Sequence, residues 1–213
     1  MRTASALVLA TLNRGKQEEF TALFAKHKIH LGGLDQFVRN ANFLDNVESK
    51  APDASYMANA HAKCFAAFRA AKMPTLADDS GIEIEALNGE PGVHSAHYAK
   101  PGANQSQTAA NNQKVLDALK GKSNRKARMR SVLVFMLEGM HLEVEAVCEG
   151  KIAEKPAGTA GFGYDTIFIP DAGNGKTFAE MSAAEKNAIS HRALAVDKLV
   201  KLLGERDIEL VRP

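Results

Sequence analysis

Residues 6–27 read ALVLATLNRGKQEEFTALFAKH, and this stretch decides the fold class. Its apolar run, Ala6–Ala10, predicts a short buried strand. Asn13 can cap the helix that follows. This helix is predicted to continue to about residue 27, because Phe20, Leu23, Phe24 and His27 are spaced at i, i+3, i+4 and i+7 and so share one helical face. A strand that leads directly into a helix is the repeating unit of α/β proteins.

The rest of the sequence continues this alternation of strands and helices. Helices are predicted from residue 53 or 55 to residue 72, over residues 105–119 and over residues 190–204, and strands over residues 75–77, 82–85, 127–137, 140–148 and 162–170. Gly139 separates two of these strands and indicates a hairpin, while residues 32–53 are rich in Gly, Asn and Asp and are predicted as loop with room for one short strand. The sequence therefore predicts an α/β fold with a mixed sheet, in a single domain over residues 1–213.

Composition narrows the class of protein. The 213 residues carry a formal net charge of +2, which argues against a protein that holds nucleic acid through bulk charge. Cys64 and Cys148 do not form a C-x-x-C pair, so neither a disulfide framework nor a cysteine zinc site is expected. The apolar run near the N-terminus is shorter than a secretory signal requires, and no run approaches the length of a membrane span. We expect a cytoplasmic protein with no membrane partner.

Two segments could bind phosphate and a metal ion. The first comprises Thr11, Leu12, Asn13, Arg14, Gly15 and Lys16, between a predicted strand and a predicted helix. Free N–H groups at a helix start and the charge of Lys16 favour an anion there, although a helix cap with a solvated lysine explains the same residues. The second contains Asp78 and Asp79, followed by Ser80 and Gly81. Its carboxylates could hold Mg²⁺ or act as a base on water, and an Asp-rich turn is the alternative.

Two further segments could recognise a flat polar ring. One comprises Gly161, Phe162, Gly163, Tyr164 and Asp165. Its glycines allow a backbone to approach a ligand and its aromatic rings can stack on one, although core aromatics at a strand entry explain them as well. The other is Glu185–Arg192, which is dense in hydrogen-bond donors and is otherwise a charged helical face. If Ser190 caps a helix that begins at His191, then Lys186, His191 and Arg192 can converge on one ligand.

Two other patterns receive structural interpretations. His94 and His97 lie in a region rich in Pro and Gly with no third ligand in view, so a zinc site is not expected there. The basic residues between Lys120 and Arg130 precede a predicted strand and are interpreted as a solvated loop rather than as a nucleic-acid contact.

Taken together, the first four segments resemble the inosine triphosphate pyrophosphatase family, also called the Ham1-like family. The family's T-x-N-x-x-K corresponds to residues 11–16, its A-D-D-S-G and the following L-N-G-x-P-G-V to residues 77–93, its G-F-G-Y-D to residues 161–165, and its F-A-E-[LM]-x-x-x-E-K-N-x-I-S-H-R to residues 178–192. The matched segments extend from residue 8 to residue 200, so the resemblance covers nearly the whole chain.

The resemblance implies an elongated mixed sheet flanked by helices, two lobes with an active-site cleft between them, and a homodimer. It implies hydrolysis of ITP, dITP and XTP to the monophosphate and pyrophosphate with Mg²⁺, which clears deaminated purines from the nucleotide pool. The resemblance also implies roles for single residues: Asp79 as the general base and a metal ligand, Lys16 as the group that neutralises the triphosphate, and Glu48 as a second metal ligand. The implied substrate-binding residues are Thr11, Leu12, Asn13, Arg14, Gly15, Lys16, Ser80, Phe162, Gly163, Tyr164, Asp165, Lys186, His191 and Arg192.

The sequence also departs from the family pattern. Ala58 stands where the F-x-E-N-A motif has its glutamate, and His97 stands where S-A-R-Y-A-G has its arginine. Two alternatives to oxopurine hydrolysis stay open: a pyrophosphatase for damaged pyrimidine nucleotides on the same fold, and a nucleotide-binding module without turnover. The presence of both Asp79 and Lys16 argues against the second alternative.

Overall fold

The computed structural model of the chain describes residues 2–4, 7–38 and 55–210. Its strands are β1 (Arg2–Ala4), β2 (Leu7–Leu9), β3 (Leu31–Gly33), β4 (Thr75–Ile84), β5 (Lys126–Leu137), β6 (Met140–Ile152), β7 (Phe168–Pro170) and β8 (Ile208–Leu210). Its α-helices are α1 (Arg14–Ala25), α2 (Leu34–Phe37), α3 (Tyr56–Ala71), α4 (Gln107–Ala118), α5 (Ala183–Ile189) and α6 (His191–Glu205). Short 3₁₀ helices cover Glu85–Leu87, Gly92–His97 and Phe178–Glu180. Glu48, the implied second metal ligand, lies outside the described residues.

The main sheet is mixed, as the sequence predicted. Within the described residues its strand order is β3-β2-β4-β5-β6-β7. Strand β2 pairs in parallel with β3 and with β4, whereas β7 runs antiparallel to β6. The side chains of β2 are buried on both faces, which is typical of a parallel strand covered by helices. Strands β1 and β8 pair in parallel with each other, apart from this sheet.

Local sequence signals place the helices that carry the candidate site. Asn13 is the N-cap of α1, and its side chain accepts a hydrogen bond from the Lys16 N–H at 3.0 Å. Ser55 caps α3 in the same way through the Ala58 N–H at 3.1 Å. Helix α6 begins at His191, directly after Ser190 in an extended conformation. The predicted helix starts at these positions are therefore confirmed.

Two predicted element boundaries are wrong. Strand β4 continues through Asp78–Gly81 to Ile84, where the sequence predicted a strand end and a separate strand. The Asp78 carboxylate can stay within the strand because Ser131, on neighbouring β5, donates a hydrogen bond to it at 2.7 Å. Strand β7 covers only Phe168–Pro170, because Gly161 and Gly163 adopt positive φ angles that interrupt extended structure.

The described chain divides into two compact units, each built from discontinuous segments. Unit 1 comprises Met1–Asp79, Ser131–Glu145 and Arg192–Pro213, and unit 2 comprises Ser80–Arg130 and Ala146–His191. Fully buried large side chains of unit 1 include Phe20, Phe24, Leu76 and Phe135. The core of unit 2 is a hydrophobic cluster that includes Ile82, Val115, Phe168 and Phe178. None of the helices in the described ranges is long and apolar enough to cross a bilayer.

Both cysteines are expected to be unreactive in the folded protein. The Cys64 thiol is buried and donates to the carbonyls of Thr75 and Val134, and burial raises its pKa to about 12. Burial, together with the charges of Asp171 and Glu149, likewise raises the pKa of Cys148 to about 12. Because the thiolate is the reactive form, a disulfide reagent at pH 8 should label both thiols only after unfolding in guanidinium.

Activity is accordingly expected not to depend on added reductant, and a Cys64→Ser variant serves as the control. Fast labelling of the native protein would contradict the burial of these thiols.

Candidate active site

Asp79 is held by two side chains of α3. Its Oδ1 accepts a hydrogen bond from Lys63 Nζ at 2.5 Å, and its Oδ2 accepts one from Asn59 Nδ2 at 3.1 Å. Asn59 and Lys63 are four residues apart in the helix, so both point from the same helical face. The Asp79 side chain remains 13% exposed. The result is a fixed carboxylate that solvent can still reach, as a base acting on water requires.

Asp78, the neighbouring carboxylate, is fully buried and makes different contacts. Its Oδ2 lies 2.8 Å from Lys16 Nζ, and its Oδ1 accepts a hydrogen bond from Ser131 Oγ at 2.7 Å. Burial alone would raise the pKa of Asp78, but the charges of Lys16 and Arg192 hold that pKa well below its usual range. Asp78 thus binds Lys16 and lies close to Arg192, while Asp79 is held by Lys63 and Asn59.

The loop before α1 has a shape fixed by its own side chains. Thr11 Oγ1 accepts a hydrogen bond from the Asn13 N–H at 3.1 Å, and the Gln17 side chain donates to the Thr11 carbonyl at 2.8 Å. Asn13 and Arg14 are exposed, while Leu12 and Gly15 are half-buried. The loop therefore presents a helix N-terminus together with the Lys16 ammonium, the combination that favours an anion.

Lys16 lies in a cation-rich position. Its side chain is 16% exposed, and burial lowers its pKa, as do the nearby charges of Lys63 and Arg192, while Asp78 opposes this shift. A phosphate oxygen arriving at Lys16 would supply a further negative charge and favour the ammonium form. The electrostatics of the loop thus fit an anionic ligand.

Arg192 lies at the start of α6, in unit 1. Its Nη1 donates to Glu19 Oε2 at 2.6 Å, and its Nε lies 3.8 Å from Asp78 Oδ2. The sequence predicted that Arg192 converges with Lys186 and His191 on one ligand. Those two residues belong to unit 2, so the convergence of the three donors stays a prediction.

In unit 2, the residues from Gly161 to Asp165 form a turn closed on the Asp165 carboxylate. Asp165 Oδ2 accepts a hydrogen bond from the Phe162 N–H at 2.9 Å and one from Lys186 Nζ at 2.6 Å. The same ammonium lies 5.3 Å from the centroid of the half-buried Phe162 ring. The turn thus places an aromatic ring and a cation side by side, which suits a flat polar ligand.

Tyr164 contributes to packing rather than to an open aromatic surface. Its ring belongs to the hydrophobic core of unit 2, and its hydroxyl donates to the Ser95 carbonyl at 2.7 Å. The predicted pair of stacking rings therefore reduces to Phe162. Ser80 is half-buried at the start of unit 2, and His191 is buried at its end.

Gly161→Ala is expected to destabilise the protein more than Gly163→Ala. Both glycines have positive φ, of 75° and 62°, so either alanine costs at least about 1 kcal/mol of backbone strain. A Cβ at Gly161 would in addition overlap the Asp165 carboxylate, whereas a Cβ at Gly163 would meet open space. Urea unfolding should give a lower midpoint for Gly161→Ala, and equal midpoints would contradict this geometry.

Residues 7–202 match the family model of the Ham1 family. The chain belongs to the Ham1 family. It is 42% identical over 195 residues to a dITP/XTP pyrophosphatase of Geobacillus kaustophilus (strain HTA426), with 91% of each chain covered. It is also 42% identical to a dITP/XTP pyrophosphatase of Ralstonia nicotianae (strain ATCC BAA-1114 / GMI1000), with 92% of this chain and 96% of the relative covered.

Solved Ham1 structures share the fold. The Ham1 protein of Staphylococcus aureus superposes with a TM-score of 0.78 at 32% identity, over 95% of this chain and all of that chain. A HAM1 protein from Coxiella burnetii gives the same TM-score at 36% identity, over 96% of this chain. The α/β class and the mixed sheet of this Ham1-family chain are thereby confirmed.

The surroundings of Asp79 fit a hard cation. Asn59 turns its Nδ2 toward Asp79, and its buried Oδ1 has no hydrogen-bond partner among the described residues. Amide and carboxylate oxygens are the donors that Mg²⁺ prefers, directly or through its bound waters. Asp79 and Asn59 are therefore the described residues that could hold Mg²⁺ in this Ham1-family protein.

Lys63 and Glu19 also belong to the cluster, although they are not among the residues predicted from the sequence. Lys63 is a buried lysine in an alanine-rich helix, four residues after Asn59, and that spacing was a usable signal. Glu19 carries no comparable signal, because its partner Arg192 is 173 residues away in sequence.

The basic residues from Lys120 to Arg130 extend into β5, and their arginines form contacts within unit 2. Arg128 and Arg130 both pair with Glu83, and Arg125 donates to the carbonyls of Ile152 and Ala153. The interpretation of this run as a solvated loop is therefore wrong for these arginines. Their charges are neutralised or hydrogen-bonded within the protein, which leaves less of the run for nucleic acid.

Proposed function

We propose that this protein hydrolyses ITP, dITP and XTP to the nucleoside monophosphate and pyrophosphate. The observation that carries the proposal is the solvent-reachable Asp79 carboxylate, fixed by Lys63 and Asn59 close to the Lys16 ammonium. The names of the Ham1-family relatives, dITP/XTP pyrophosphatases, give the same reaction class. Such an enzyme is a hydrolase acting on an acid anhydride.

In the proposed mechanism, the chain's residues bind the triphosphate and activate water. Lys16 and Lys63 donate to phosphate oxygens, with Thr11 and Asn13 shaping the loop around them. Asp79 takes a proton from water while the water oxygen attacks the α-phosphorus, and the bond from that phosphorus to the pyrophosphate oxygen breaks. Mg²⁺ held at Asp79, with Glu48 as its second proposed ligand, would neutralise charge on the phosphates.

The charges of the cluster suit this task. Lys16, Lys63 and Arg192 face the carboxylates Asp78, Asp79 and Glu19 through the contacts described above. Each cation is thereby held in position before substrate arrives, so less ordering is needed on binding.

We assign recognition of the base to the turn and the lysine of unit 2. Phe162 offers a ring for stacking, and Lys186, positioned on Asp165, offers only donors. Hypoxanthine and xanthine carry a 6-oxo acceptor where adenine carries a 6-amino donor, so a donor-only group favours the oxopurines. Facing adenine, an unpaired buried donor would cost roughly 1–3 kcal/mol.

A panel of nucleoside triphosphates tests the reaction and the specificity together. Each nucleotide is incubated with enzyme and Mg²⁺, and phosphate is measured with and without an added inorganic pyrophosphatase. Phosphate release from ITP, dITP and XTP that requires the added pyrophosphatase supports the proposal. Preferential release from modified pyrimidine nucleotides would favour the pyrimidine alternative, and binding without release would favour the module without turnover.

Arg192→Ala tests where the 6-oxo group is recognised. In the proposal Arg192 also donates to that oxygen, so its loss removes about 1.5–3 kcal/mol, and kcat/KM for ITP should fall roughly 10- to 150-fold with much less change for ATP. Lys16→Ala should instead slow ITP and ATP alike, because both carry the same triphosphate. The measurement is the ITP/ATP ratio of kcat/KM in the two variants.

If the ITP/ATP ratio of kcat/KM is unchanged in Arg192→Ala, this arginine serves the cluster with Glu19 and Asp78 and does not recognise the base. Thermal melting of the same variant separates that outcome from unfolding.

The partner implied by the family resemblance is a small-molecule nucleotide, with a second copy of the chain forming a homodimer. Light scattering on the purified protein tests the dimer. The cytoplasmic location stays a prediction.

A further inference from the structure

Two histidines and a glutamate of unit 1 form a compact cluster apart from the residues assigned to phosphate chemistry. His61 lies on α3, and His141 and Glu143 lie on β6. His61 Nε2 is 2.5 Å from Glu143 Oε1, and His141 Nε2 is 3.5 Å from the same oxygen. One ligand atom from each residue falls within 4.8 Å of the others. We propose that this cluster is a binding site for a divalent transition-metal ion such as Zn²⁺.

The fold aims all three side chains at one point. His141 and Glu143 are two residues apart in a strand, so they share a face of β6. The His61 ring approaches from α3 and meets the His141 ring edge-on, with centroids 5.4 Å apart and planes at 73°. This orientation lets both Nε2 atoms reach the same carboxylate oxygen without stacking the rings. Two imidazole nitrogens and one carboxylate oxygen therefore converge from two separate elements.

The donor set selects the class of metal. Imidazole nitrogen suits Zn²⁺ and neighbouring transition metals, whereas Mg²⁺ and Ca²⁺ prefer oxygen ligands alone. Two histidines with one glutamate provide three protein ligands for Zn²⁺, and water completes the tetrahedral coordination. The cluster is thus chemically distinct from the oxygen-donor surroundings of Asp79.

The side chains have the room to adjust to an ion. Metal–ligand distances of about 2.1 Å in a tetrahedron place ligand atoms roughly 3.4 Å apart. The distance from His141 Nε2 to Glu143 Oε1 is already close to this value. The shorter distance from His61 Nε2 to the same oxygen has to increase by roughly 0.9 Å on the same geometry. The side chains of His61, Glu143 and His141 are 32%, 38% and 59% exposed, so rotation about their own bonds can supply this change.

Another histidine–carboxylate pair in unit 1 provides a matched control. His27 Nε2 lies 3.1 Å from Asp197 Oδ1 at the surface, so His27, like His61, pairs with one carboxylate. Within the described residues, this pair is not part of a group of three metal-binding side chains. Loss of His27 should therefore leave metal binding unchanged.

The test is calorimetric titration of Zn²⁺ into the EDTA-treated, desalted full-length protein without nucleotide or Mg²⁺. We expect about one Zn²⁺ to bind per chain, at the cluster of His61, His141 and Glu143. Removing a group that only supports a metal ligand lowers metal affinity about 10- to 100-fold. Removing a ligand itself should cost at least as much, so His61→Ala, His141→Ala and Glu143→Gln should each weaken Zn²⁺ binding at least tenfold. His27→Ala should bind as the unsubstituted protein does.

A second readout is thermal stability. Zn²⁺ bound across α3 and β6 stabilises the folded state, so it should raise the Tm of the unsubstituted protein and of His27→Ala, but not of His141→Ala. His141 is the main test position because its exposed side chain can be removed without opening a core. Absence of Zn²⁺ binding, or equal binding and equal Tm shifts in His141→Ala and the unsubstituted protein, overturns the proposal.

Discussion

Asp79→Asn is expected to reduce kcat for ITP by at least about 10²-fold while nucleotide still binds. The amide has nearly the shape of the carboxylate and can still accept from Lys63, so the site should keep its form. It cannot take a proton from water, and it is a poorer ligand for Mg²⁺. Initial rates of pyrophosphate release, together with calorimetric binding of nucleotide, measure both parts of this expectation.

The matched control is Asp117→Asn, on the solvent-exposed side of α4. Asp117 pairs with Lys120 at the surface and takes no part in the cluster around Asp79, so this variant should hydrolyse ITP at the normal rate. A near-normal kcat in Asp79→Asn would rule out Asp79 as the general base.

Asp78→Asn is expected to lower the thermal stability of the protein, whatever its effect on catalysis. The carboxylate is fully buried between Lys16 and Ser131, and Arg192 lies close to it. Removing one partner of a buried ion pair leaves the other charge uncompensated, at a cost of about 3–5 kcal/mol. For a chain of this size that cost corresponds to a fall in Tm of roughly 6–20 °C. Thermal melting at pH 7 measures it.

The same substitution should change how stability depends on pH. Because the pKa of Asp78 is lowered in the folded state, its stabilisation is fully present above the unfolded value of about 3.9 and is lost as the pH falls through the folded value. The loss begins as the pH falls below about 3.9, so between pH 4 and pH 2 the unsubstituted protein should lose more stability than Asp78→Asn. Asp117→Asn is again the control, with a Tm close to normal at pH 7. A melting temperature for Asp78→Asn within about 2 °C of normal would contradict the buried ion pair.

Much of the secondary structure could be predicted because its signals are local. Asn13 and Ser55 cap their helices through side-chain bonds to an N–H three residues ahead, and the helix start at His191 follows Ser190 directly. The hairpin at Gly139 is equally local, since a glycine with a φ of 75° forms the turn between β5 and β6. Such contacts span only a few residues, so the sequence contains all of their parts.

The course of β4 could not be predicted in the same way. Two adjacent aspartates favour a turn when only their neighbours in sequence are considered. They remain in a strand because Ser131, 53 residues later, and Lys16 satisfy the Asp78 carboxylate. Likewise, only the folded structure shows that Tyr164 is buried by the core of unit 2.

The α/β class, the family resemblance and the choice of Asp79 and Lys16 as candidate residues all follow from patterns in the sequence. The different contacts of Asp78 and Asp79 are visible only in the folded chain, as is the contact of Lys63 with Asp79. It also brought His61 within hydrogen-bonding distance of Glu143, a residue 82 positions away. The physical reason is that charge pairing and ligand convergence join residues distant in sequence, and such contacts leave no periodicity or spacing for the sequence to display.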